Sequence, residues 1–252
     1  MPAPPPIETS ADAHEMPAKP GLERANPLLA LDTGSPRVSL ALRCPSGEIL
    51  SEVLELRRSS ENLLPVAGEM IARSGCHLSD LGGVVVLRGP GSFTGLRIGL
   101  ATAMGLHQAL GLRACGVETL PVLARAAHER AARDGDAVIA VVDALREEWM
   151  AQTFVFEGEE PQPVDEARLR PAAELAAQEL PKIGFELDAL AAHEPAGSGD
   201  RDLLWPAPPL APLLLEAIRG SAEPSWISWD PGTLVEPIYF RPPAVTPPRP
   251  RS

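Results

Sequence analysis

One stretch, Gly83-Val-Val-Val-Leu-Arg-Gly-Pro-Gly-Ser-Phe-Thr-Gly-Leu-Arg-Ile-Gly-Leu-Ala-Thr-Ala-Met-Gly105, constrains the fold more than any other. Val84 to Leu87 is an unbroken β-branched and aliphatic run, the pattern of a strand buried on both faces. Gly89, Pro90 and Gly91 stop it, and Ser92 or Thr94 then offers a hydroxyl to cap a helix over 94–110. Buried strand, glycine turn and capped helix make half of an α/β unit.

The apolar residues of that helix (Leu96, Ile98, Leu100, Ala101, Ala103, Met104, Leu106) do not keep to one stripe, so it must be covered on more than one side. Gly95, Gly99 and Ala103 recur every four residues, a smooth ridge along which another backbone can approach. A glycine inside a helix costs about 1 kcal/mol against alanine, which asks for a packing reason. Two remain open: an element of the same chain, or a partner protein.

Along the chain, residues 1–25 are proline-rich and lack hydrophobic periodicity, as is the tail 242–252; both read as disordered extensions. Between them, Leu28 to Asp32, Arg37 to Leu42 and Glu48 to Leu56 predict three strands in an antiparallel meander. Glu61 to Ser74 turns helical, with Leu64, Ala67, Met70 and Ile71 on one side and Leu63 and Val66 off that stripe. A strand at 113–117 and a helix at 120–133 complete a first lobe, 26–134, of order β-β-β-α-β-α-β-α around a mixed five-stranded sheet. A second strand ending in aspartate, Ala137 to Asp143, and a partner at 149–156 restart the pattern. Helices near 171–180 and 210–219 follow, so 135–241 reads as a reduced duplicate of the first lobe.

A formal charge of −12 argues against a general basic field for nucleic acid or anionic membrane. Cys44, Cys76 and Cys115 stand far apart without a CxxC, which fits a reduced compartment. With no apolar run of membrane length and no secretory leader, the expectation is a soluble, cytoplasmic protein.

Leu31-Asp-Thr-Gly-Ser35 spells an aspartic-protease signature, but that chemistry needs two carboxylates sharing a proton. No second Asp-Ser/Thr-Gly exists in the chain. The other use of a strand-ending Asp-x-Gly is in the actin-like (ASKHA) ATPase superfold, where it faces nucleotide phosphates and metal, and the element order resembles that superfold. Candidate anion or nucleotide contacts are therefore Asp32, Thr33, Arg88, Gly89, Gly91, Ser92 and Arg97, grouped at a helix N-terminus. The alternative is that these glycines serve the turn alone. No Gly-Lys-Ser/Thr makes it a Walker loop. The five histidines never pair at helical spacing, so no metal site is expected; His107 reads as a packed or interface histidine. Asp143 with Arg146, Glu147 and Glu148 forms a charged turn, solvated or in contact with a ligand.

In order along the chain, Leu31-Asp-Thr, Ser60-Glu-Asn-Leu-Leu-Pro65, Arg88 to Gly99, Gly116-Val-Glu-Thr-Leu120, Asp143-Ala144 and Glu236-Pro-Ile-Tyr-Phe-Arg241 resemble the TsaB (YeaZ) family. The resemblance covers 28–241. It implies a degenerate relative of TsaD, the subunit that transfers threonylcarbamoyl to the adenosine beside the tRNA anticodon, in tRNAs reading codons that begin with A. It further implies a non-catalytic scaffold that binds TsaD directly and works with TsaE, with tRNA reached only through the complex. ATP or ADP and metal would sit in the partner subunits, with no cofactor of its own. The TsaD-facing helices would present Leu63, Val66, Ala67, Met70, Gly95, Gly99, Leu100, Ala103, Met104 and His107. Homodimerisation without the partner stays open. Ser59 stands where the family often has histidine, and Leu145 where arginine usually follows Asp-Ala. An independent ATP-using enzyme of the superfold, and last a peptidase, are the other readings.

Overall fold

A computed structural model of the chain describes residues 26–54, 59–128, 130, 135–193, 203–218 and 226–240. The leader and tail, and the serine caps expected before the first helix, lie outside the described residues or side chains.

The first sheet is built as the hydrophobic runs dictate. Strands β1 (Leu28–Asp32), β2 (Ser39–Arg43) and β3 (Ile49–Val53) form the antiparallel meander. Helix α1 (Ser59–Arg73) then crosses over to β4 (Gly83–Gly89), which lies parallel to β1, and α2 (Phe93–Leu110) leads to β5 (Arg113–Glu118), parallel to β4. The order is β3-β2-β1-β4-β5. Helix α3 (Thr119–Ala126) ends this half.

The second half repeats the plan with shorter connections. Its strands are β6 (Ala137–Asp143), β7 (Glu148–Glu157), β8 (Glu160–Pro163) and β9 (Arg168–Pro171). After them come α4 (Ala172–Ala176), β10 (Lys182–Gly184), α5 (Asp188–Ala191), β11 (Leu204–Pro206) and α6 (Leu210–Ala217). The sheet order β11-β10-β6-β7-β8 mirrors the first, with two antiparallel strands on one side of the aspartate-ending strand and two parallel ones on the other, and β9 is an added sixth strand antiparallel to β7. The duplication is thus visible in strand sense and order. It is reduced because α1 shrinks from 15 residues to the 5 of α4, and α2 from 18 to the 4 of α5. The strands at 160–163, 168–171, 182–184 and 204–206 are too short for their own periodicity to announce them, and the helix expected over 171–180 is only α4.

Alternation along each strand divides the core. Leu29, Leu31, Leu40, Leu42, Val84 and Val86 face α1 and α2. Leu28, Ala30, Ala41, Val85 and Leu87 face α3 and α6, which also meet Val138, Ala140, Phe154 and Phe156 of the second sheet. Ile139, Val141, Trp149 and Ala151 pack on α4 and α5 from the far side. The result is layered helix–sheet–helix–sheet–helix, with α1 and α2 as an outer layer. The second half also returns to the first: α6 packs on β1 and β2, and a 3-10 turn at Pro231–Val235 packs on β5.

In α1 the buried stripe is Leu63, Ala67, Met70 and Ile71, while Leu64 is 56% exposed. This corrects the expected phase. Both leucines fit a helical stripe, and only docking on the sheet decides which is inward. In α2, Ser92 supplies the cap by accepting from the Gly95 amide, and Gly111 in the left-handed conformation ends the helix. Its buried stripe is Leu96, Gly99, Leu100, Ala103 and Leu106, with Ala101 and Gly105 exposed.

Candidate functional site

The two motifs singled out in the sequence meet at the mouth of the first sheet. At the end of β1 the Asp32–Ser35 turn folds down onto the start of α2. Ser92 donates its amide to the Gly34 carbonyl at 2.8 Å, and the Thr33 hydroxyl donates to the Gly95 carbonyl at 2.7 Å. A Cβ on Gly91 would lie 2.6 Å from the Gly34 oxygen, and one on Gly95 far inside contact distance of the Thr33 carbonyl. A Cβ on Gly99 would collide with the Thr33 hydroxyl. The backbone that approaches the Gly95–Gly99 ridge is therefore the chain's own. Of the two packing reasons left open, the internal one holds for these two glycines.

Asp32 is fully buried beneath that turn. One carboxylate oxygen accepts from the amides of Gly34 (3.1 Å) and Ser35 (3.0 Å), the other from the Ser35 hydroxyl (2.5 Å). Burial pushes its carboxyl up to about 6, against the pull of the Ser35 and Gly34 hydrogen bonds. A side chain so enclosed holds a loop and does not present a free oxygen to phosphate, metal or water. Thr33 is buried likewise.

Beside this turn a cleft of about 660 Å³ opens between the halves. Its walls include Ser35, Gly91, Ser92, Phe93, Leu145, Arg146, Phe185 and Tyr239. Two of the expected anion contacts, Gly91 and Ser92, line it. Arg88, Gly89 and Arg97 do not. Arg88 is ion-paired to Glu118 at 2.8 Å and to Glu236 at 3.7 Å. Its carbonyl accepts from Ile238. Arg97 stacks on Phe93, its guanidinium carbon 3.9 Å from the ring centre, and donates to the Tyr239 hydroxyl at 3.0 Å. Both arginines thus fasten the segment 236–239 to the first sheet. The family-like Glu236-Pro-Ile-Tyr-Phe run reads as a clasp, a role its sequence does not reveal because each partner lies over a hundred residues away.

Leu145 stands 71% exposed at the cleft, followed by Arg146, so the charge displaced by one residue still borders the same space. Leu145, Arg146 and Glu147 all have positive φ (65°, 59° and 61°), held by the Asp143 carboxylate accepting from the Leu145 amide at 2.7 Å. Phe93, Phe185 and Tyr239 give the cleft aromatic walls, and Asp143, Arg146 and Glu186 also line it. Among the described residues no group of three histidines, cysteines or carboxylates is arranged to hold a metal.

The residues expected to face a partner fall into two sets. Leu63, Ala67, Met70, Gly99, Leu100 and Ala103 are buried inside the chain, beneath the face rather than on it, because α1 and α2 spend these positions on their own sheet. Val66, Gly95, Met104 and His107 are half-buried. His107 is tied at Nδ1 to the Leu112 carbonyl, 2.6 Å away, a packed histidine. The outer surface of α1 and α2 carries instead Leu64, Pro65, Gly68, Ala72, Ala101 and Gly105. At Gly68 and Gly105 a Cβ would meet nothing within 4 Å. Among the described residues, no packing inside the chain accounts for these two helix glycines.

Two mixed sheets of matching order, separated by helices around a cleft, define an α/β protein of the actin-like superfold. A family model described as TsaD, tRNA N6-adenosine threonylcarbamoyltransferase, matches residues 53–200. The tRNA threonylcarbamoyladenosine biosynthesis protein TsaB of Haemophilus influenzae is 35% identical over 121 residues, 48% of this chain and 50% of that protein. YeaZ from Pseudomonas aeruginosa superposes with a TM-score of 0.62 at 27% identity, over 75% of this chain and 89% of that one. A structure described as an uncharacterised protein with similarity to peptidase YEAZ from Pseudomonas aeruginosa gives 0.65 at 25% identity, over 86% and 100%. The chain belongs to the TsaB/YeaZ family, within the wider TsaD group. Its sequence match spans about half the length of the TsaB relative. Among the described residues no helix is long and apolar enough to cross a membrane.

Proposed function

We infer that this chain acts in tRNA threonylcarbamoyladenosine biosynthesis as a non-catalytic scaffold and activator. It docks the outer face of α1 and α2 against a TsaD-type transferase. TsaE joins the assembly, nucleotide and metal belong to the partner subunits, and tRNA is met through the complex. The observation that carries this reading is the pair of open helix glycines, Gly68 and Gly105, on a face that also exposes Leu64. Each glycine costs its helix about 1 kcal/mol, and only an approaching surface from outside gives that cost a use. Likeness to TsaB, a tRNA threonylcarbamoyladenosine biosynthesis protein, supports a TsaD-type partner, and the sequestered Asp32 supports a subunit without phosphate chemistry of its own.

Charge at Leu100 does not test this, because that side chain is 4% exposed and a buried charge breaks the fold. The exposed positions do. Leu64→Glu and Gly105→Arg are expected to weaken capture by immobilised TsaD at least about tenfold, roughly 1.4 kcal/mol, with unchanged circular dichroism. Capture at the parental level by both variants would remove this face from the interaction.

A further inference from the structure

Cys44 and Cys76 are 32 positions apart in sequence, yet the fold brings them to one residue, Ser74. Cys44 follows β2, in the turn closed by its amide to the Glu48 carbonyl. Cys76 follows α1, where its amide donates to the Ile71 carbonyl. The Cys76 thiol reaches the Ser74 carbonyl at 3.9 Å, and Cys44 lines the same cavity as Ser74. Both sulfurs are free thiols and border the same apolar cluster beneath α1. Access comes from two sides. Cys44, though nearly buried, lines a surface cavity of about 410 Å³ with Glu48, Arg73 and Ser74. Cys76 lines the neighbouring groove beside Gly68 and Ile71.

We propose that Cys44 and Cys76 form a redox-sensitive dithiol, which a hydroperoxide converts to a disulfide linking the turn after β2 to the end of α1. The half-buried Cys76 sulfur attacks the peroxide, giving a sulfenic acid and releasing the other oxygen as water or alcohol. The Cys44 sulfur then displaces the sulfenic hydroxyl. That hydroxyl leaves as water with the Cys44 proton, so two thiols are oxidised for one peroxide reduced. The order follows from the environments. Cys76 is half-buried and open to the groove whereas Cys44 is nearly buried, and burial also raises the Cys44 thiol, with the Glu48 carboxylate and the Cys76 thiol adding to it, so Cys44 is the resolving partner. In a reducing compartment such a bond is transient. Cys76 borders the groove beside Leu64 and Gly68, so reduced and oxidised chains differ at the edge of the α1 face.

The test is independent of any partner. The full chain is treated with hydrogen peroxide, remaining thiols are alkylated after unfolding, and intact mass and proteolytic peptides are read. The expected result is a loss of about 2 Da, a single Cys44–Cys76 cross-linked peptide pair, reversal by dithiothreitol, and Cys115 still alkylatable within β5. Cys76→Ser, at a half-buried position, is expected to abolish the cross-link. Two outcomes overturn the proposal: Cys76 carried on to sulfinic acid while Cys44 stays alkylatable, or cross-links that involve Cys115.

Discussion

Gly95→Ala is expected to destabilise the protein by at least about 3 kcal/mol, read as a fall in the urea midpoint at unchanged slope. In an isolated helix the same change stabilises by about 1 kcal/mol. The sign reverses here because the new methyl would enter the space of the Thr33 carbonyl oxygen. That oxygen belongs to a turn held at both ends: Asp32 accepts three hydrogen bonds within it, and the Thr33 hydroxyl donates to Gly95 itself. Nothing there is the far end of a flexible side chain, so the strain cannot be shed cheaply. Gly105→Ala, ten residues along the same helix, is expected to raise stability by about 1 kcal/mol, since its Cβ meets nothing within 4 Å. Equal effects at the two sites would contradict the interlock of the Asp32 turn with α2.

The second large effect is a pH dependence carried by Asp32. Its folded carboxyl is raised to about 6 from an ordinary 3.8, so the folded state favours the protonated acid. Below about pH 4 the group is neutral in both states, and its contribution to stability is fully present. As pH rises through 4 to 6, the unfolded chain loses the proton first and the folded state is penalised. Above 6 the penalty levels off at about 3 kcal/mol, from a shift of about two units at 1.36 kcal/mol each. Asp32→Asn removes this slope while keeping the contacts. The amide oxygen accepts from the Gly34 and Ser35 amides, and the amide nitrogen donates to the Ser35 hydroxyl, which donates to the Arg37 carbonyl. The difference in unfolding free energy, variant minus parent, is expected to grow in the variant's favour from pH 4 to 7. Parallel pH curves would mean that Asp32 is ionised in the folded protein at little cost. A phosphate-binding aspartate would behave differently, because its removal would change nucleotide affinity more than stability.

Much of the site was legible in one dimension, but with its meaning displaced. The Gly95–Gly99 ridge announced a close approach, yet a ridge cannot say who approaches; the answer, Thr33, lies 62 positions from Gly95. Arg88 and Arg97 looked like flanking cations for an anion, and their actual counterparts, Glu118, Glu236 and Tyr239, come from β5 and the clasp. Gly68 carried no signal of its own, being a lone glycine on a helix whose buried stripe is set by the sheet.

From its residues alone this chain determined the strands of its first sheet and the β6–β7 pair of its second, its capped central helix, the β-β-β-α-β-α order of the first half and its likeness to TsaB, because periodicity, turn chemistry and capping act over a few neighbouring residues. Only the tertiary structure decided which leucine of α1 turned inward, which glycines were filled from within and which stayed open, and that Asp32 serves a loop. Those outcomes depend on burial and close approach between segments distant in sequence, and a glycine or an aspartate has the same local signature whether its neighbour is its own backbone, a ligand or another protein.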